Sequence, residues 1–487
     1  MNVQKLREKL YKYTMEIRGK RVLLMGLGIL GGGVATARFL FEHGARITIT
    51  DLKNADDLKI SLKKLADIKD GINFVLGEHR KKDFLSNDII VVNPDVTIDN
   101  KFVKLARDNH KQIENELSLF YKFCPTRNIV VITGTRGKTT TVNWASQFIK
   151  SNNPKTVILG NSPASPFLAS ISDCDKETSI VVEVPSFQLE LSNDSKYAPH
   201  IAIITNLYRD HINRHKSLEE YAGVKANIFK NQKENDFLIL NNDNEWTPFF
   251  VNCNPKSKIL YFSTNILPKE KSGAYIDTDE DLYFKIKGKK VKFVNIKNFK
   301  KEWGGHNIEN LMASSLAAYV LGITVENLIK STLKLPQIKF RQEKVYCSEK
   351  MDIYNDTTAT SPEATIAAIS RFGNTKKCLV LITGGTDREL EFYKWADSVK
   401  KFVNPANLFL LSGSATEKMK SALGWNTYNE FENLKDCLEA ATEIVGGFQD
   451  KGIILFSPSS KSFEKFKNEF DRGEKFNTLL TDVFKEK

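Results

Sequence analysis

Three α/β domains in series are what this chain encodes, and three features say so. Short apolar runs alternate with helical stretches along most of its length, the pattern of parallel βα units. Many of the runs are apolar without interruption, as strands covered on both faces require. At 487 residues the chain also exceeds what one compact core accommodates.

The first segment opens with the strand RVLLMGLGIL, a helix and ARITITDLK, and it includes DIIVVNPDV. A break at KFCPTRN ends it near Cys124. The second segment opens at VVITGTRGKTTTVNWASQFIK, residues 130–150, and continues through KTVILG, SIVVEV, HIAIITN and DFLILN. The alternating stretch YFKIKGKKVKFV reads as a hairpin turning at Gly288. The small-residue helix NIENLMASSLAAYVLG closes this segment, with KLPQIKF as linker. From about Lys339 the alternation resumes through KCLVLITGG, ANLFLLSG and GIILFSPSS. The domains are therefore placed at 1–124, 125–336 and 337–487.

Composition narrows the function classes. With 41% hydrophobic and 27% charged residues the chain is of ordinary globular make-up. No run approaches the length of a membrane helix, and the first twenty residues, charged and helical in pattern, lack the apolar stretch of a signal peptide. Six cysteines are scattered without metal spacing, which suits a reducing cytoplasm. The balance of 71 basic against 59 acidic residues favours anionic partners. The lysines are dispersed and no nucleic-acid motif stands out, so the expected anion is a phosphorylated, carboxylated small molecule.

The turn at residues 134–140 carries the strongest chemistry. Glycines let backbone N–H groups approach an anion, and the helix that follows directs its positive end there. Lys138 supplies a point charge for β- and γ-phosphates and the Thr139 hydroxyl a magnesium ligand, so ATP is the expected occupant. The loop departs from the general phosphate-binding pattern by lacking its outer glycine. The earlier GLGILGG offers Gly26, Gly28 and Gly31 after a strand, with Asp51 ending the next. That geometry holds any pyrophosphate, whether of NAD or of a UDP-sugar. Glu183 ends one strand, His211 follows another, and Lys225 lies on the helix beyond. Strand ends on the carboxyl side are where α/β sheets gather ligands.

Taken together these residues resemble the Mur ligases, ATP-dependent amide-forming enzymes of peptidoglycan synthesis, and among them the glutamate-adding members. The 134–140 loop is similar to the family's TGTNGK(S/T)T, EVPSFQLE to ELSSFQLE, and TNLYRDHINRH to N-x-x-x-DH-x-D-R-H. GGHNIEN, NDTTATSPEATIAA, GGTDRELEF and SPSSKSFEKFKNEFDRGEKF follow in the family's order. The resemblance implies Rossmann-like first and third domains around a P-loop ATPase-like central one with a parallel sheet. It implies that the first domain binds the UDP substrate through Gly28, Ile29, Leu30, Asp51, Leu52 and Lys53, aided by Asn161 and Ser186. ATP would lie on Gly134, Thr135, Arg136, Gly137, Lys138, Thr139 and Thr140, with Asn307, Asn310, Arg341 and Asp356. Two magnesium ions would draw on Thr139, Glu183, His211 and Lys225, the last as a carbamate. Lys138, Glu183, His211 and Lys225 form the implied catalytic set, and Thr360, Arg388, Ser462 and Phe463 the implied glutamate site.

The implied reaction joins glutamate, D-glutamate in the first place, to UDP-N-acetylmuramoyl-L-alanine in a cytoplasmic monomer. Departures from the family pattern cluster around the substrates: Asp95 in place of glycine, Thr358 in place of lysine, Arg388 for lysine, and Glu469 where an aromatic is usual. The alternatives are an L-glutamate-adding or folate-extending ligase, an NAD-dependent oxidoreductase resting on the first glycine turn, and a nucleotide-binding protein without turnover.

Overall fold

The computed structural model describes residues 16–160, 166–191, 197–210, 212–375, 378–387 and 389–485. Most of the N-terminal helical stretch, Asn161, His211 and Arg388 lie outside the described residues. Contacts divide the chain into two compact units, one running to Asn295 and including Glu309–Leu335, the other made of Ile296–Ile308 and the chain from Pro336. Among the described residues no helix is long and apolar enough to cross a membrane.

The first unit holds two sheets. One contains β1 (Arg21–Met25), β2 (Arg46–Asp51), β3 (Ile72–Leu76), β4 (Ile89–Val92) and β5 (Gln112–Glu114). All are parallel, in the order β3-β2-β1-β4-β5. The chain winds one way to β3, then crosses to β4, so β1 and β4 flank the switch point where ligands of such sheets collect. Helix α1 (Gly32–Glu42) follows the first glycine turn, and α2 (Glu116–Phe123) follows β5. Asn115 caps α2 in a reciprocal box with Ser118.

The second sheet comprises β6 (Ile129–Thr133), β7 (Thr156–Leu159), β8 (Ser179–Glu183), β9 (Ile201–Ile204), β10 (Phe237–Asn241), β11 (Lys258–Ser263), β12 (Gly273–Ile276), β13 (Asp281–Ile286) and β14 (Lys289–Asn295). Their order is β14-β13-β12-β11-β10-β9-β6-β8-β7. β6 is buried at all five residues between β8 and β9, as its IVVIT sequence demands. β13 and β14 form the antiparallel hairpin expected at Gly288. One apolar core runs through both sheets, with Leu117, Phe120 and Phe123 of α2 among its members. Cys124, where the sequence suggests a break, is itself buried in that core.

The second unit carries β15 (Glu343–Cys347), β16 (Met351–Asn355), β17 (Leu379–Gly384), β18 (Leu408–Leu411), β19 (Asn429–Phe431) and β20 (Gly452–Phe456), in the order β15-β16-β20-β17-β18-β19. β15 is antiparallel to β16 and the other pairs are parallel. The apolar runs of β17, β18 and β20 are strands as read from sequence. β15 and β16 are not visible there, because their polar residues interrupt the apolar pattern.

Candidate active site

The carboxyl ends of β8, β6 and β9 lie side by side, since Ile132 pairs with Glu183 and Thr133 with Ile204. Three sequence-predicted features therefore meet at one sheet edge: the lysine loop after β6, Glu183 at the end of β8, and the segment leading from β9 to Lys225. The loop passes into helix α3 (Lys138–Lys150). Gly134 and Gly137 have positive φ of 150° and 81°. A Cβ on Gly134 would stand 1.8 Å from Thr205 Oγ1, and one on Gly137 2.3 Å from Asn310 Oδ1. Only glycine fits either place.

The loop is held by residues just past β9. The Thr135 N–H donates to the Asn206 carbonyl at 3.0 Å, and the Arg136 N–H to Asn206 Oδ1 at 2.9 Å. Thr205 Oγ1 donates to the Arg136 carbonyl at 2.7 Å, and the Tyr208 N–H to Thr135 Oγ1 at 3.0 Å. The Arg136 guanidinium lies over the Tyr208 ring. Asn310 is buried on helix 308–320 and accepts from Thr141 Oγ1 at 3.1 Å, which fixes the first turn of α3 from below. Thr139 is half-buried and Thr140 buried in that turn.

Two lysines converge on the loop. Lys138 Nζ donates to the carbonyls of Gly134 and Thr135 at 3.0 and 2.9 Å. Lys225, on α5 (Leu218–Ala226; α4 is the short turn Ser186–Leu189), is wholly buried. Its Nζ donates to Gly134 O at 3.0 Å and Thr133 Oγ1 at 3.3 Å, 4.5 Å from the centre of the Tyr221 ring. Burial drives its pKa well below the ordinary lysine value, the charge of Lys138 adds to this, and Asp210 opposes it. Both effects favour the neutral amine, the nucleophilic form, over the ammonium.

Ser186 is buried at the start of α4, with Oγ 2.9 Å from His215 Nε2. His215 stacks on Tyr221, and Glu190 forms a two-pronged pair with Arg214. Arg214 also donates to the carbonyls of Pro94 and Val96 beyond β4. This chain of contacts ties the segment after β9 to the first sheet.

At the first glycine turn Asp51 accepts from the N–H groups of Leu27 and Gly28 at 2.9 and 3.0 Å, and from Lys53 N–H at 2.9 Å. Its buried carboxylate thus shapes the turn from within. Ile29, Leu30 and Leu52 project around it, each more than half exposed. Asp95 is exposed, its N–H on Asn93 Oδ1.

In the second unit Asp356 is buried after β16, accepting from Gln342 N–H at 3.0 Å and Ser457 Oγ at 2.8 Å. Burial pushes its carboxyl up to about 7 against the pull of Ser457, Gln342, Arg341 and Arg371. Arg341 is exposed, and Asn307 donates to Trp303 O. Thr358 bonds the Phe340 carbonyl through its hydroxyl, and Thr360 is half-buried. Ser462 is buried with no partner for its Oγ among the described residues, beside an exposed Phe463. Sequence reasoning missed Arg472, wholly buried on the helix Glu469–Lys485, which grips the Thr357 and Ser460 carbonyls at 2.8 and 3.1 Å. It missed Thr205, Asn206 and Tyr221 as braces too. For Thr205 and Asn206 the one signal is the change from apolar to polar residues at the end of β9; Tyr221, inside α5, has none.

Comparison with known proteins accords with this arrangement. Residues 20–114 match the model of the MurD-like N-terminal domain of Mur ligases, and residues 132–318 that of the Mur ligase middle domain. The chain is 35% identical over 470 residues to the UDP-N-acetylmuramoylalanine–D-glutamate ligase of Borreliella afzelii, covering 96% of this chain and 98% of that one. It is 32% identical to the enzyme of that name from Clostridioides difficile, over 96% and 100% of the two chains. Its fold is similar to that of MurF from Acinetobacter baumannii, with a TM-score of 0.60 at 14% identity over 98% of each chain. It is also similar to MurF from Thermotoga maritima in complex with ADP, with a TM-score of 0.56 at 16% identity over 97% of each. With two of the family's domains in order and a third of positions identical over nearly its whole length, this chain belongs to the Mur ligase family.

Proposed function

We propose that the chain is the ATP-dependent ligase that joins D-glutamate to UDP-N-acetylmuramoyl-L-alanine in peptidoglycan synthesis. The observation that carries this reading is its 35% and 32% identity, over 96% of the chain, to relatives bearing that activity's name. Those names favour D-glutamate over L-glutamate or folate, and they favour a ligase over an oxidoreductase built on the first glycine turn.

A carboxylate resists attack by an amine, because its carbonyl is electron-rich and oxide leaves poorly. Transfer of the ATP γ-phosphoryl group gives an acyl phosphate, and such transfer needs chiefly positioning and charge neutralisation. Lys138 would exchange its two loop carbonyls for β- and γ-phosphate oxygens, while the N–H groups opening α3 face the same anion. The glutamate amine then attacks the acyl carbon, and the tetrahedral intermediate expels phosphate.

Magnesium fits the donor set: a hydroxyl at Thr139 and a carboxylate at Glu183 are the hard oxygens it prefers beside phosphate. Thr139, Glu183, His211 and Lys225 would hold it, and bound there it neutralises phosphate charge. Lys225 suits this role as a carbamate, since a buried neutral amine can add to carbon dioxide and becomes an anion by doing so. Asn307, Asn310, Arg341 and Asp356 complete our ATP assignment. Gly28, Ile29, Leu30, Asp51, Leu52, Lys53, Asn161 and Ser186 make up the UDP-substrate assignment. Thr360, Arg388, Ser462 and Phe463 are assigned to glutamate, supported by the orphaned Ser462 hydroxyl. We retain domain limits at 1–124, 125–336 and 337–487. We place the protein in the cytoplasm, which its six free cysteines suit, and as a monomer.

Phosphate release from ATP tests the reading. It should require both UDP-N-acetylmuramoyl-L-alanine and D-glutamate; equal turnover with L-glutamate, or none with either, would overturn it.

A further inference from the structure

In the second unit one run of hydrogen bonds joins Asp356, Gln342, Arg371, His306 and Asn307. Gln342 has a left-handed φ of 46°, a backbone conformation that costs a residue other than glycine about 1–3 kcal/mol. Its N–H donates to Asp356 Oδ1 at 3.0 Å, and its Oε1 accepts from Arg371 Nη1 at 3.0 Å. Its amide nitrogen lies 3.3 Å from His306 Nε2. The Asn307 amide nitrogen lies 3.0 Å from the same ring atom and donates to Trp303 O at 2.8 Å. Arg371 is set in turn by the Tyr354 and Phe372 rings and by the Glu302 carbonyl.

The donors and acceptors fix the state of the histidine. A guanidinium only donates, so the Gln342 oxygen faces Arg371 and its NH2 faces His306. A carbonyl only accepts, so the Asn307 NH2 spans Trp303 and His306. Two amide donors therefore share the lone pair of Nε2, which is the unprotonated nitrogen of a neutral Nδ1–H ring. A proton on Nε2 would confront both N–H groups and break both bonds.

His306 is an exposed residue, but the Cε1–Nδ1 edge of its ring packs on Gly304, where a Cβ would stand 2.9 Å from Cε1 and 3.1 Å from Arg371 Cδ. Loss of water along that edge, and after it the charge of Arg371, hold its pKa below the ordinary histidine value. Other charges on the surrounding elements act on one another. Glu302 of helix Lys297–Trp303 and Asp356 after β16 draw on Arg371, and Arg341 on Asp356. Glu343 accepts from the Phe340 N–H, and Lys300 and Lys301 are exposed.

We infer that His306 and Gln342 are positioning residues for ATP: His306 Nε2 orients the Asn307 carboxamide, and Gln342, steered by Arg371, keeps that nitrogen unprotonated. The inference rests on the ligase reading for the assignment of Asn307 to ATP.

Nitrogen-15 resonance of the full chain, labelled at histidine, reads the tautomer without any ligand. At pH 6, where an ordinary histidine is more than half protonated, Nε2 of His306 should give the signal of an unprotonated ring nitrogen, assigned by its loss in His306→Gln. Gln342→Met keeps the main-chain bond to Asp356 but has no side-chain donor, so its His306 should titrate closer to the ordinary value. The ratio of its Kd for ATP to that of wild type, from calorimetry, should then rise by up to about tenfold between pH 8 and pH 5.5. A wild-type His306 that is protonated at Nε2 at pH 6, or a ratio that does not change with pH, overturns the inference and leaves the ligase reading standing. No binding of ATP by the folded wild type overturns both. The wild-type spectrum decides the tautomer even where Gln342→Met fails to fold.

Discussion

Lys225 Nζ lies 3.0 Å from the carbonyl oxygen of Gly134, the first residue of the phosphate loop. A wholly buried lysine so placed couples α5 to the loop, and its neutral amine is the form that a carbamate needs. Lys225→Ala should lower turnover by about 10²–10³-fold, the scale of removing one preorganised charge. Millimolar acetate or propionate should restore part of it by replacing the carboxylate. Full activity without additive would remove Lys225 from the mechanism.

Gly134→Ala should damage the loop itself. A methyl group would meet Thr205 Oγ1 at 1.8 Å, and Thr205 could yield only by releasing the Arg136 carbonyl. Overpacking and strain of this kind cost about 1–3 kcal/mol. ATP affinity, read by fluorescence of a nucleotide analogue, should drop at least tenfold, whereas UDP-sugar affinity should hold. Unchanged ATP binding would mean that the loop tolerates a shape that these contacts forbid.

Such contacts also mark how far the sequence could be read. The loop was legible because strand, glycines, lysine and helix follow one another within residues 129–150. Its braces, Thr205 and Asn206, lie some seventy residues on, and only the order β8-β6-β9 brings them back. Lys225 was visible as a family position, but its burial was not, since the mean pattern of α5 does not single out a buried face. Glu116 sits in ENELSLF, which reads as an ordinary helix start. Its carboxyl meets the backbone N–H groups of Phe167 and Leu168, about fifty residues away. That the Asp51 carboxylate accepts from the Leu27 and Gly28 N–H groups is likewise invisible in the sequence, since it joins the ends of two strands about twenty residues apart.

Asp356→Asn should change the pH dependence of stability. The carboxyl titrates near 3.9 when unfolded and about 7 when folded, so the fold favours its protonated form. That contribution is whole below about pH 4 and is lost as the pH rises through 7. Asparagine keeps an oxygen for the Gln342 N–H and offers its amide to Ser457 Oγ without ever ionising. The variant should gain on the order of 2–4 kcal/mol over wild type between pH 4 and pH 8. Denaturant midpoints at the two pH values check this, and a constant difference would refute it.

Ser462→Ala separates a ligand-binding hydroxyl from a structural one. Among the described residues the Oγ is buried without a partner, so its removal takes away an unsatisfied polar atom and breaks no bond seen there. Thermal stability should therefore stay level or rise by up to about 1 kcal/mol. If the hydroxyl awaits the glutamate carboxylate, the KM for glutamate should rise about tenfold, the worth of one hydrogen bond to a charged group, while that for ATP is unchanged. Arg472 makes the contrast sharp: it holds the carbonyls of Ser460 and Lys461 just before Ser462. Arg472→Met should lower stability and raise the glutamate KM together, because it loosens the turn that presents the hydroxyl. A Ser462→Ala protein that lost stability with its glutamate KM intact would show the hydroxyl to be part of the fold's own bonding.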